Sequence, residues 1–125
     1  MKVLVACEYS GAVRDEFLKL GHDAYSCDIL PCESKYLNNK MIGYRQRHYQ
    51  QDVFEVINEG WDLMIAHPPC THLAVSGARW FTEGRKPWSL QEEALEFVQQ
   101  LMDAPIERIC IENPVSVIST KIRKP

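Results

Sequence analysis

Two short stretches hold the side chains most able to do chemistry. In Asp62 to His72, DLMIAHPPCTH, an apolar run stops at His67, and Pro68 and Pro69 then lead the chain to Cys70. Consecutive prolines restrict the backbone and remove two amide donors, so the thiol behind them is held at a defined height above the preceding element. A cysteine positioned in this way is a candidate nucleophile. In Arg108 to Pro114, RICIENP, a second apolar run opens onto Glu112 and Asn113. A carboxyl group brought near such a thiol acts as an acid or hydrogen-bond partner for the ring or carbonyl under attack. Taken alone, Cys70 reads better as a loop cysteine beside a turn. The pairing with Glu112 favours chemistry.

A third group, EYSG at 8–11, follows the apolar run Val3 to Cys7. Gly11 permits close approach of a ligand to a backbone turn, where the helix that follows presents unpaired N–H groups. Asp28 lies 17 residues beyond it, close to the spacing at which an acid grips a ribose diol, and Asp52 ends a further short run. An ordinary structural turn followed by an acid satisfies the same pattern, because YSGAVR lacks the full GxGxxG.

These residues are useful only if regular elements bring them together. Strands are expected at Val3 to Cys7, Asp23 to Cys27, His48 to Gln51, Trp61 to Ala66 and Arg108 to Ile111. Between them, Val13, Phe17, Leu18 and Leu20 recur at helical spacing up to Gly21. VFEVIN predicts a helical turn or two, and Ser89 to Met102 predicts the longest helix. Ser89 is its expected cap, with Glu92 three residues on, and Leu90, Ala94, Leu95, Val98 and Leu101 form its apolar face. Leu30 to Gln46 and His67 to Pro87 read as loops. Strands alternating with helices imply a parallel sheet in a Rossmann-like α/β fold, with all five strand exits on one rim.

Composition bounds the possibilities. The 125 residues, 46% hydrophobic and 25% charged, suit a single globular domain. A formal net charge of −3 excludes the strong positive field of a dedicated nucleic-acid binder, so any contact with DNA must be local. Five cysteines without a CxxC pair point away from a disulfide framework and towards a reducing, cytoplasmic setting, with Cys7, Cys27 and Cys110 expected as small buried hydrophobes. No signal peptide or membrane-length apolar run is present in the sequence.

The order YSG, Asp28, Asp52, PPC and ENP resembles the first half of a DNA cytosine-5 methyltransferase, in which FxGxG, two acids, PPC and ENV follow one another at similar strand ends. IAHPPCTHLAVSGARWF and IENPVSVI are similar to stretches of phage and bacterial cytosine-specific DNA methylases, so the likeness spans essentially the whole chain. It implies S-adenosyl-L-methionine as cofactor and cytosine in DNA as substrate. Cys70 would add to C6 of the ring while Glu112 holds N3. Tyr9, Ser10 and Gly11 would line the methionine part of the cofactor, Asp28 the ribose and Asp52 the adenine amino group. Pro68 would lie near the cofactor, and Ile29 and Val53 would sandwich the adenine. Asn113, Ser76 and Arg79 would touch the substrate, the last two from a loop in which Arg79, Trp80, Arg85, Lys86 and Trp88 interleave cations with aromatics.

The chain departs from the family pattern at Cys7-Glu8, where Asp-Leu is frequent, and at Val13-Arg14, where paired glycines occur. It ends at KIRKP, before the region in which such enzymes carry further strands and target recognition, and so reads as a truncated or minimal version. Its last strand is then an exposed edge inviting a homodimer or a second chain. Two alternatives stay open: a remnant or partner-dependent module that binds cofactor without catalysis, and a metal site on His67, Cys70 and His72. The second lacks the H-x-E and P-C-x-x-C of zinc deaminases.

Overall fold

The computed structural model describes residues 1–33, 47–69, 84 and 87–112. The chain divides into two compact units, Met1–His67 with Ala104–Ile111, and Pro68–Asp103 with Glu112–Pro125.

The first unit is built on a five-stranded, wholly parallel sheet: β1 (Lys2–Ala6), β2 (Asp23–Asp28), β3 (His48–Gln50), β4 (Leu63–Ala66) and β5 (Arg108–Ile111). The strand order is β3-β2-β1-β4-β5. This is the α/β architecture expected from the alternation of runs, and it is compatible with a Rossmann-like fold. Val3 pairs with Ala24 on one side and Leu63 on the other, and Leu4 with Tyr25 and Met64. Because side chains alternate across the sheet, Val3, Val5 and Ala24 share one face. Val13, Phe17 and Leu18 of α1 (Ala12–Lys19) pack there, with Leu63 beside them. Leu4, Ala6, Cys27, Met64 and Ala66, all fully buried, take the opposite parity.

Two glycines bound α1. Gly11, at its N-cap, has φ 75°, where a Cβ would strain the backbone. At the other end Gly21 has φ 88°; its N–H bonds Leu18 O at 3.0 Å and that of His22 bonds Phe17 O at 3.0 Å, a Schellman closure. The rings of Phe17 and His22, 5.8 Å apart, seal it.

β4 begins later than its apolar run implied. Trp61 does not pair in the sheet; it is buried, its indole N–H donates to Val56 O at 2.8 Å, and its ring meets Tyr25 edge-on at 5.5 Å. The indole needs a hydrogen-bond partner when buried, and the carbonyl beside the 3₁₀ turn Val53–Glu55 supplies it. Cys110 also departs from expectation: it lies on β5 with its side chain exposed, whereas Cys27 is buried and Cys7 half-buried.

In the second unit, α2 spans Trp88–Met102. Ser89 is not its cap. Pro87 occupies that position with φ −69°, its carbonyl accepts from Leu90 N at 3.1 Å, and no side chain caps the helix. That carbonyl satisfies one of the first-turn amides that a hydroxyl cap would otherwise take. Val98 and Leu101 are buried as the periodicity required, and Gln91 extends the same stripe as a buried amide. Among the described residues no helix is long and apolar enough to cross a membrane.

Candidate functional site

The chain leaves β1 towards β2 and β3 on one side and returns to β4 on the other, so the strand order reverses between β1 and β4. Ligands of open parallel sheets bind at the carboxyl ends of the strands beside such a reversal. His67 N donates to Ala6 O at 3.0 Å and Glu8 N to Cys27 O at 3.1 Å, so the two exits run on in register past the ends of the strands. Between them Cys7 adopts φ 60°, the one non-glycine in the left-handed region among the described residues. Such a conformation costs on the order of 1 kcal/mol and persists where surrounding contacts demand it.

The demand comes from Glu8. Its carboxylate accepts from Val13 N at 3.1 and 3.3 Å and from Arg14 N at 3.3 Å, while Ser10 Oγ accepts from Ala12 N at 3.2 Å. Asp15 N then closes the first intrahelical bond to Gly11 O at 2.9 Å. The amides expected to await a ligand at the start of α1 are therefore held by the chain's own side chains. His67 Nε2 lies 3.8 Å from Glu8 Oε2, at the mouth of the reversal. Burial pushes the Glu8 carboxyl above its ordinary value, opposed by the Arg14 and Val13 amides and the His67 ring.

Asp28 ends β2, and its Oδ1 accepts from Leu30 N at 2.9 Å, which turns Ile29 outward with 73% of its surface exposed. Asp52 follows β3, exposed, and caps the 3₁₀ turn by accepting from Phe54 N at 3.0 Å. Of the two aliphatic residues expected to sandwich a ring, Ile29 offers surface, whereas Val53 is spent in the core at 5% exposure. Tyr9 is exposed, and its carbonyl accepts from Glu33 N at 2.7 Å, tying the β1 and β2 exits together. The thiols of Cys7 and Cys27 are both pushed up to about 12, by burial first and then, among other charges, by Asp28 and Asp52. The field at these exits is thus negative.

A polar network that the sequence reading did not anticipate braces the β2 exit. Arg14 is fully buried. Its Nε and Nη2 donate to Asp15 Oδ1 at 3.1 and 2.8 Å, and its Nη1 to Ser26 Oγ at 3.0 Å and Cys32 Sγ at 3.4 Å. Ser26 Oγ also shares a hydrogen bond with His48 Nδ1 at 2.7 Å, and His48 Nε2 donates to Leu30 O at 2.9 Å. The sign was legible: Arg14 stands three and four residues before Phe17 and Leu18, inside the apolar stripe.

β4 and β5 are paired neighbours, Ala66 opposite Ile111, so the segments leading to PPC and EN depart from adjacent strands. Pro68 is buried and Glu112, directly after β5, is exposed. Cys70, Ser76, Arg79 and Asn113, together with His72, lie outside the described residues. No family model, curated protein or solved structure matches this chain.

Proposed function

We propose that this chain transfers a methyl group from S-adenosyl-L-methionine to C5 of cytosine in DNA through a covalent adduct on Cys70. The observation that supports this reading is the division of strand exits by the order β3-β2-β1-β4-β5. On one side of the reversal, the β1, β2 and β3 exits hold Tyr9, Gly11, Asp28, Ile29 and Asp52, which suit a nucleoside. On the other, the segments carrying Cys70 and Glu112 leave adjacent strands. Asp28 fits a ribose diol, Ile29 one face of an adenine ring and Asp52 its amino group; the bound cofactor supplies an electrophilic methyl on a cationic sulfur.

Carbon 5 of cytosine is too weak a nucleophile to take that methyl unaided. Addition of the Cys70 thiolate to C6, with Glu112 hydrogen-bonded at N3, moves electron density to C5. A new C5–methyl bond forms as the donor's sulfur–methyl bond breaks, the C5 proton leaves to a base, and departure of the thiolate restores the ring. Thiolate suits both ends of this sequence, as a soft nucleophile and a good leaving group. In duplex DNA the base must first leave the stack.

Calorimetric titration of the chain with S-adenosyl-L-methionine tests the cofactor half. Saturable binding that weakens roughly ten- to a hundredfold in Asp28→Ala is expected, from loss of charge-assisted hydrogen bonds worth about 1.5–3 kcal/mol. Absence of binding, or indifference to Asp28→Ala, counts against the reading.

A further inference from the structure

We infer that Glu8 sets the ligand class of the β1–α1 turn: it fills the anion seat of α1 and so excludes phosphate-bearing nucleotides, leaving the rim to a phosphate-free nucleoside. This inference rests on the nucleoside-cofactor reading above and names the residue that narrows it. A glycine turn opening a helix at the carboxyl edge of a parallel sheet is the usual seat for a pyrophosphate, because the first amides of the helix point at the ligand and its dipole favours negative charge. Here the glycine turn, the helix and the topology of that seat are present, although the full GxGxxG is not. Gly11 is left-handed, α1 follows directly, and the turn sits beside the strand-order reversal.

The seat is nonetheless taken. The amides of Val13 and Arg14, two donors a phosphate would use, both bond the Glu8 carboxylate, and Ser10 Oγ holds the amide of Ala12. Glu8 is 6% exposed and is aimed inward by the left-handed Cys7 before it. Two further carboxylates, Asp28 at the end of β2 and Asp52 just beyond β3, stand at neighbouring strand exits on the same side of the reversal. A phosphate approaching this turn meets no open amide at these three positions and meets negative charge. An adenosine bearing a cationic or neutral 5′ substituent meets no such penalty, and its ribose and base hydrogen-bond with acids. Glu8 is therefore a specificity-determining residue, and its effect is expected on discrimination between ligands.

The test compares wild type, Glu8→Ala and Glu8→Gln, titrated with ADP, inorganic phosphate and S-adenosyl-L-methionine while the backbone amides of Val13 and Arg14 are followed by NMR. In wild type, neither ADP nor millimolar phosphate shifts those amides. Glu8→Ala frees both donors, and ADP is expected to bind at least tenfold more tightly than to wild type, with the two amides shifting together. Glu8→Gln keeps an acceptor against the helix and gains far less. Should Glu8→Ala not fold, the wild-type titration still decides, since phosphate-induced shifts at Val13 and Arg14 there overturn the inference. ADP binding equally to wild type and Glu8→Ala also overturns it. If S-adenosyl-L-methionine binds neither form while Glu8→Ala gains ADP at those amides, the methyl-donor reading fails and the role of Glu8 stands. If the methyl donor binds wild type but Glu8→Ala gains nothing, the reverse holds.

Discussion

Replacing Arg14 by Met removes a fully buried guanidinium that makes two bonds to Asp15 Oδ1, one to Ser26 Oγ and one to Cys32 Sγ. Methionine fills most of the volume, so the main consequence is electrostatic: the Asp15 carboxylate, 4% exposed, loses the cation bonded to it at 2.8 Å. Breaking one partner of a buried pair costs about 3–5 kcal/mol, a large fraction of the 5–15 kcal/mol that holds a typical domain together. For a chain of 125 residues each kcal/mol moves Tm by roughly 4 °C, so thermal unfolding followed by circular dichroism should shift down by roughly 12–20 °C. The double variant Arg14→Met/Asp15→Leu removes both charges and should recover most of that loss, because an apolar pair of similar size is often as stable as the ion pair it replaces. A single variant within about 1 kcal/mol of wild type, or a double variant no better than the single, refutes the assignment of this network as the brace of the β2 exit.

Other consequences are simpler to read. Cys7 and Cys27, with thiols pushed up to about 12, should resist iodoacetamide at pH 8, while the exposed Cys110 is modified before either; peptide mass spectrometry reports the order. Burial raises the folded-state value of Glu8 above its ordinary 4.5, so the folded chain holds this proton to higher pH than the unfolded chain. Its contribution is complete below that value and is lost as pH rises through the folded one; the stability of wild type relative to Glu8→Gln should therefore fall over that window in urea titrations at stepped pH. Leu4→Ala, at a fully buried position in the central strand, should cost about 2–5 kcal/mol by the same method.

The sheet was legible because β1, β4 and β5 are short apolar runs set off by glycine, proline and polar residues, and because Val3 to Ala6 permits little else. What escaped was polar. Glu8 stands two residues beyond β1, and nothing in EYSG reveals that a left-handed Cys7 will fold its carboxylate back onto the amides of α1. The bond between Ser26 and His48 spans 22 residues, and composition gives no hint of it. The cap of α2 was misassigned because Ser89 and Glu92 satisfy the capping pattern, yet Pro87, two residues earlier, already supplies a suitable start. Periodicity reports where apolar faces lie; it is silent on which buried polar groups find one another across the fold.

The central claim is that the thiol behind Pro68-Pro69 attacks cytosine. It is tested most directly by incubating the chain with S-adenosyl-L-methionine and an oligonucleotide containing 5-fluorocytosine, whose C5 fluorine cannot leave as the proton does. The account predicts a denaturation-resistant complex with its cross-link mapped to Cys70 by mass spectrometry, dependent on the methyl donor and absent in Cys70→Ser. A chain that binds the donor yet forms no such complex, or forms one through another residue, contradicts it.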